Sequence, residues 1–117
     1  MDYRVAKVSD HGSNDQGEYW KFSNGLLICQ GSIKKTITVS SKSGSLFYDD
    51  GYGLQMPCAF INMNYSVHII ANTNALICVP YSIRKTTTKN VLFDIVTSVA
   101  QNNSSIDFSF IAIGRWK

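Results

Sequence analysis

Catalysis needs groups that converge, and few residues of this chain could supply them. There are two histidines, His11 and His68, three cysteines, Cys29, Cys58 and Cys78, and one adjacent acidic pair, Asp49-Asp50. The histidines stand far apart in sequence, and no GxSxG nucleophile elbow accompanies either. His68 reads as an outward-facing strand residue. No HxH, HExxH, CxxC or Cys/His cluster occurs, so no metal ligand set and no cofactor are expected. A glycosidase needs two carboxylates about 5–10 Å apart across one bond. Neighbouring residues on an extended chain point to opposite sides, so Asp49-Asp50 reads as a solvated turn. Gly51-Tyr52-Gly53 is too short, and lacks the following helix, to cradle a phosphate. No catalytic residue is expected, and the chain reads as a non-enzyme.

What remains is an inventory for binding. Tyr48, Asp49, Asp50 and Tyr52 fall together in one glycine-bearing stretch, Tyr48–Gly53. A sugar ring has one apolar face and an edge of hydroxyls, which aromatic rings and carboxylates can meet together. Asn72 and Asn74 in one turn, and Arg84 and Lys85 at the head of another, are weaker candidates of the same kind. The net charge of +3 is modest, and the eleven Lys and Arg are scattered apart from Lys34-Lys35 and Arg84-Lys85. That is not the basic stripe that a phosphate backbone calls for, so no nucleic-acid partner is expected. Cys29 and Cys78 each follow an Ile in an apolar run, the setting of a reduced, buried thiol in a reducing compartment.

The elements that must position these residues read as strands. Residues 1–17 end in a turn-former cluster, Ser9 to Gly17, expected as a linker. The domain is expected to span 18–117. Tyr19–Phe22 and Leu26–Gln30 flank Asn24-Gly25, the strongest short-range hairpin signal. Gly31 suggests a bulge or a close backbone approach. Ile33–Val39 alternates, with only Lys35 breaking its apolar side. Ser40–Gln55 reads as loop with a short strand near Leu46–Tyr48. Tyr65–Ala71 alternates again, with Tyr65, Val67, Ile69 and Ala71 inward. Ala75–Val79 is a short strand stopped by Pro80, with a continuation to Arg84 beyond a kink. Val91–Val99 is β-branched, with Phe93, Ile95 and Val99 on one face. Gln101–Ser105 reads as a turn and Ile106–Trp116 as the last strand.

About eight short strands in 117 residues, 44% of them apolar and 16% charged, describe one all-β domain, an antiparallel sandwich. No apolar run approaches the ~18 residues of a spanning helix, so no membrane insertion is expected. Met1 is followed by no apolar h-region, so an ordinary signal peptide is not expected either.

Three segments carry a family resemblance. They are Gly17-Glu-Tyr-Trp-Lys-Phe-Ser-Asn-Gly-Leu-Leu-Ile-Cys-Gln-Gly31, Met56-Pro-Cys-Ala-Phe60 and Phe108-Ser-Phe-Ile-Ala-Ile-Gly-Arg-Trp-Lys117. Together they resemble the C-terminal domain of phage and prophage tail-fibre proteins, with Gln30 standing where that family usually has Trp or Tyr. Asp2–Val5 resembles the join to an upstream fibre shaft. The resemblance implies a homotrimeric knob at the tip of a virion tail fibre, assembled in the host cytoplasm and released by lysis. It implies a partner on the bacterial surface, a glycan or an outer-membrane protein. It says nothing about which residues touch that partner. In Ile106–Trp116, Ile111 and Ile113 share one face and Phe108 and Phe110 the other, as in a strand covered on both sides. The alternatives are a structural cap that only trimerises the fibre, and a glycan hydrolase using Asp49 and Asp50.

Overall fold

The computed structural model describes residues 7–73 and 77–117. Nine strands and no helix occur among them: β1 (Val8–Asn14), β2 (Gly17–Phe22), β3 (Leu26–Val39), β4 (Ser41–Ser43), β5 (Leu46–Gln55), β6 (Ser66–Asn72), β7 (Cys78–Lys85), β8 (Asn90–Thr97) and β9 (Gln101–Arg115). They form two antiparallel sheets, one in the order β1-β2-β3-β9-β6 and the other β4-β5-β8-β7. The sheets pack face to face as a sandwich, as the alternation predicts. No helix long and apolar enough to cross a membrane is present among the described residues.

The long axis, 57 Å against 23 and 21 Å, follows β3 and β9. Their ladder pairs Leu26 with Arg115 at one end and Val39 with Gln101 at the other. Every second residue of β3 faces inward, so Leu27, Cys29, Ile37 and Val39 are fully buried. Ile106, Phe108, Phe110 and Ala112 do the same from β9, and Val91, Phe93 and Ile95 meet them from β8. Phe93 packs edge-on against Phe108, ring centres 5.4 Å apart. Each such side chain contributes about 1.5–3 kcal/mol of burial.

The Asn24-Gly25 hairpin forms as its chemistry requires. Gly25 takes φ +98°, and Asn24 Oδ1 accepts from the Leu26 N–H at 3.0 Å. The chain end clamps this turn: Trp116 Nε1 donates to Phe22 O and Arg115 Nη2 to Asn24 O.

Several boundaries differ from the sequence reading. Val8–Asn14, read as part of a linker, is β1 and pairs along β2 from Phe22 to Gly17. Its turn-forming residues are tolerated because it is a solvent-exposed edge strand, supported by His11 stacking on Trp20 at 4.9 Å. Gly31 is no bulge. It is a close approach, since a Cβ there would stand 2.9 Å from Gln16 O and from the Phe110 ring. Ser40–Gln55 is mostly strand, because Gly51 at φ +82° is a bulge inside β5 and not a loop. Gln101–Ser105 belongs to β9, where Asn103 absorbs the irregularity at φ +49°. Val99 lies past the end of β8 and is exposed. Pro80 sits within β7, which is an edge strand, where a missing N–H is harmless.

Candidate functional site

The outer face of the four-stranded sheet is organised by one side chain. Asp94 lies on β8 between β5 and β7, and is buried. Both neighbouring strands bulge beside it, β5 between Asp49 and Tyr52 and β7 between Tyr81 and Arg84. Asp94 Oδ1 accepts from the Gly51 N–H at 3.1 Å and from Arg84 Nη1 at 3.0 Å. The same Nη1 donates to Ser82 O at 2.9 Å. Ser82 is the bulge residue of β7, held at φ +51°, a region that costs a non-glycine residue roughly 1–2 kcal/mol. One carboxylate thus pins two bulges, and outward-facing side chains of β5, β7 and β8 gather around them.

Those side chains form a mixed surface. Tyr48 pairs with Val96 and Tyr81 with Asp94. With Lys42, Ser43 and Leu46, the residues Tyr48, Tyr81 and Val96 line a shallow groove of about 480 Å³. Leu46 is 45% exposed and Tyr81 38%. Partial desolvation pushes the Tyr81 phenol above its ordinary range, and Asp50, Asp94 and Tyr48 push the same way while Arg84 opposes them. Asp50 therefore stands within electrostatic reach of the groove, on the same side as Tyr48 in the alternation of β5. A groove of about 550 Å³ runs elsewhere along Asp15, Gln16, Ile33, Lys35, Gln55 and Asn90. It has no aromatic wall, so the smaller groove fits the binding chemistry better.

Of the residues singled out in the sequence, Tyr48, Asp50 and Arg84 share this face. Asp49 and Tyr52 point the other way: the Tyr52 hydroxyl donates to Asp49 Oδ2 at 2.7 Å, and its ring packs on Phe93. Burial, followed by the bond to Asp49 and that residue's charge, pushes the Tyr52 phenol up to about 12. Lys85 Nζ donates to Tyr65 O and lies 5.3 Å from that ring's centre. Asn72 is on the other sheet, donating to Ser109 Oγ. Asn74 lies outside the described residues. The sequence reading missed Tyr81 and Asp94. The available signal for Asp94 was its position as a lone charge in the apolar run Val91–Val99.

The cysteines form no disulfide among themselves. Burial, helped by Cys58, pushes the Cys29 thiol up to about 12. No group of three or more potential metal ligands occurs among the described residues.

At the end of the sandwich where the Asn24-Gly25 turn lies, the three resemblance segments meet. Phe60 and Tyr65 stack at 4.2 Å directly over Gly114, whose missing Cβ would stand 2.6 Å from Tyr65 Cβ and 2.7 Å from Phe60 Cδ1. Ile61 N–H donates to Arg115 O. Cys29 Sγ points to Cys58 O, and Asn14 Nδ2 donates to Pro57 O. Comparison with family models, with curated proteins and with solved structures finds no match to this chain.

Proposed function

We propose that this domain is the distal tip of a phage or prophage tail fibre, binding a bacterial surface receptor through the Tyr48/Tyr81 face during host adsorption. The observation that carries the reading is the polarity of the sandwich. Lys7 and Lys117 lie at one end, beside the hairpin turn: Lys7 O accepts from Ser23 N–H, and Lys117 O lies near Gly25. The resemblance segments converge at that same end. Tyr48 pairs with Ser41, two residues beyond the opposite end of β3. Thirteen residue steps of strand separate the ends of β3, roughly 40 Å. A knob joined to a shaft at one end and offering its groove near the other suits a tip.

The trimer belongs to the same proposal. Ile111 and Ile113 are each 40% exposed and Ile70 is 60% exposed. All three lie on the outer face of the five-stranded sheet, which a neighbouring chain would cover. Three such tips gain from avidity, so each groove can be shallow.

Labelled protein should bind cells of particular strains in a bacterial panel. Tyr48→Ala/Tyr81→Ala should lose that binding with an unchanged melting transition. Because Tyr48–Gly53 is strand, substitutions are the proper probe and a deletion is not. Unchanged adsorption by a folded double variant would leave only a structural cap. New reducing ends released from capsule or lipopolysaccharide, and abolished by Asp49→Asn, would overturn the non-enzyme reading. Sedimentation should give three times the 13.0 kDa chain; a monomer at micromolar concentration removes the trimer.

A further inference from the structure

Lys35 is the one charged residue on the inward face of β3. It stands between Ile33 and Ile37 in the alternation and pairs with the buried Ile106 of β9. It is half-buried, and its ammonium enters no ion pair or hydrogen bond among the described residues. The acid that shares its groove, Asp15, lies in the exposed β1–β2 turn and forms no ion pair with it. Lys34, on the outward face, is matched by Asp107 at 3.8 Å. The strand is open on one side here. β2 pairs with β3 only as far as Gln30, and at Thr38 the backbone meets the Tyr52 hydroxyl. Between them, at residues 32–37, no strand among the described residues pairs with that edge, which borders the groove of Ile33, Lys35, Leu54 and Asn90. Bulges break the ladders of β5 and β7, but residues 32–37 run without a shift.

A regular open edge is a template for the same edge of a second copy. A two-fold pairing that continues the sheet sets inward residues opposite inward ones, which leaves two full registers. Centred on Lys35, the pairing opposes Ile33 to Ile37 and Lys35 to itself. Centred on Lys34, it opposes Ile33 to Lys35 and Lys34 to itself, with Asp107 offsetting the Lys34 charges. Like charges directly opposed destabilise a strand pair. At about 5 Å, and an effective dielectric between that of a protein surface and that of water, the repulsion in the first register weakens association about tenfold. In the second register the incoming strand closes over the Lys35 ammonium and sets it against Ile33, a desolvation with no acid opposite to offset it. We propose that the edge at residues 32–37 fits a second copy of this chain and that Lys35 keeps it unpaired. The edge is separate from the face bearing Ile70, Ile111 and Ile113, so Lys35 limits assembly and does not build the trimer.

Sedimentation of the full chain over a wide range of concentration tests this, with association read as mass added over the wild type. Lys35→Val should add mass at concentrations about tenfold or more below any at which the wild type does. Lys35→Glu alone should not, because like charges again oppose each other. An equimolar mixture of Lys35→Glu with the wild type should, because opposite charges then meet in the register centred on that position. Lys34→Thr, which leaves Lys35 in place, should match the wild type. A folded Lys35→Val that adds no mass overturns the proposal. So does Lys35→Glu associating alone, or a mixture that does not pair. Where Lys35→Val does not fold, the mixture decides.

Discussion

Gly114→Ala tests whether the junction of the three resemblance segments is as tight as the geometry describes. The added methyl would stand 2.6 Å from Tyr65 Cβ and 2.7 Å from the Phe60 ring. Carbon contacts are comfortable near 3.5–4.0 Å, so something must move by about 1 Å. Tyr65 Cβ is fixed by backbone at the start of β6, and the two rings are stacked, so neither simply rotates away. Overpacking of this kind costs typically about 1–3 kcal/mol. Moving Tyr65 also strains its hydrogen bond to Thr87 O, 2.7 Å long, worth about 0.5–1.5 kcal/mol. The expected loss is about 2–4 kcal/mol, or roughly 10–20 °C in melting temperature for a domain of this size. Urea unfolding followed by the fluorescence of Trp20 and Trp116 measures it. In Phe60→Ala/Gly114→Ala the methyl gains room, so the double variant should lose less than the sum of the singles by about 1 kcal/mol or more. A Gly114→Ala loss under about 0.5 kcal/mol, with additive singles, would refute the close approach.

Asp94→Ala leaves the Gly51 N–H without its partner and should cost about 2 kcal/mol in urea unfolding. Arg84→Ala should cost under about 1 kcal/mol, because that side chain is 43% exposed and water screens the pair. Ser82→Val, a β-branched residue forced to positive φ, should destabilise by about 1–2 kcal/mol, whereas Ser82→Gly should be neutral or slightly stabilising in the same assay. Stability should fall as pH rises from about 9 to about 12. There the unfolded thiol and phenols ionise first, while folded Cys29 and Tyr52 keep their protons. Each such group contributes a slope near −1.4 kcal/mol per pH unit. Cys29→Ala should flatten the onset between pH 9 and 10, as unfolding at fixed denaturant will show.

The sandwich was legible wherever alternation and turn chemistry coincided. Leu27, Cys29, Ile37 and Val39 announce the inner face of β3, and Asn24-Gly25 announces its turn. What misled was glycine and asparagine inside strands. Gly51 and Asn103 look like loop residues, yet they take the positive φ that a bulge needs while the ladder continues. Tyr48 and Asp50 were grouped only as members of a glycine-bearing stretch read as loop; it is the strand β5 that sets them two residues apart on one face. Tyr81 could not be joined to them by spacing, because cross-strand register through Asp94 makes that link. The resemblance rests on packing residues at the opposite end, which is why it was silent about the groove.

The placement of β1 has a mechanical consequence. Lys7 lies at the hairpin end, and β1 runs from there along β2 to the far end of that strand. A tether pulling outward at Lys7, against a domain held at Tyr48 and Tyr81, draws β1 along its own axis. Its hydrogen bonds to β2 then strain together in shear and do not peel one after another. Under that direction of force the whole row of bonds of this exposed edge strand would resist at once, and its lifetime under load would be set by the rate of rupture and not by equilibrium stability.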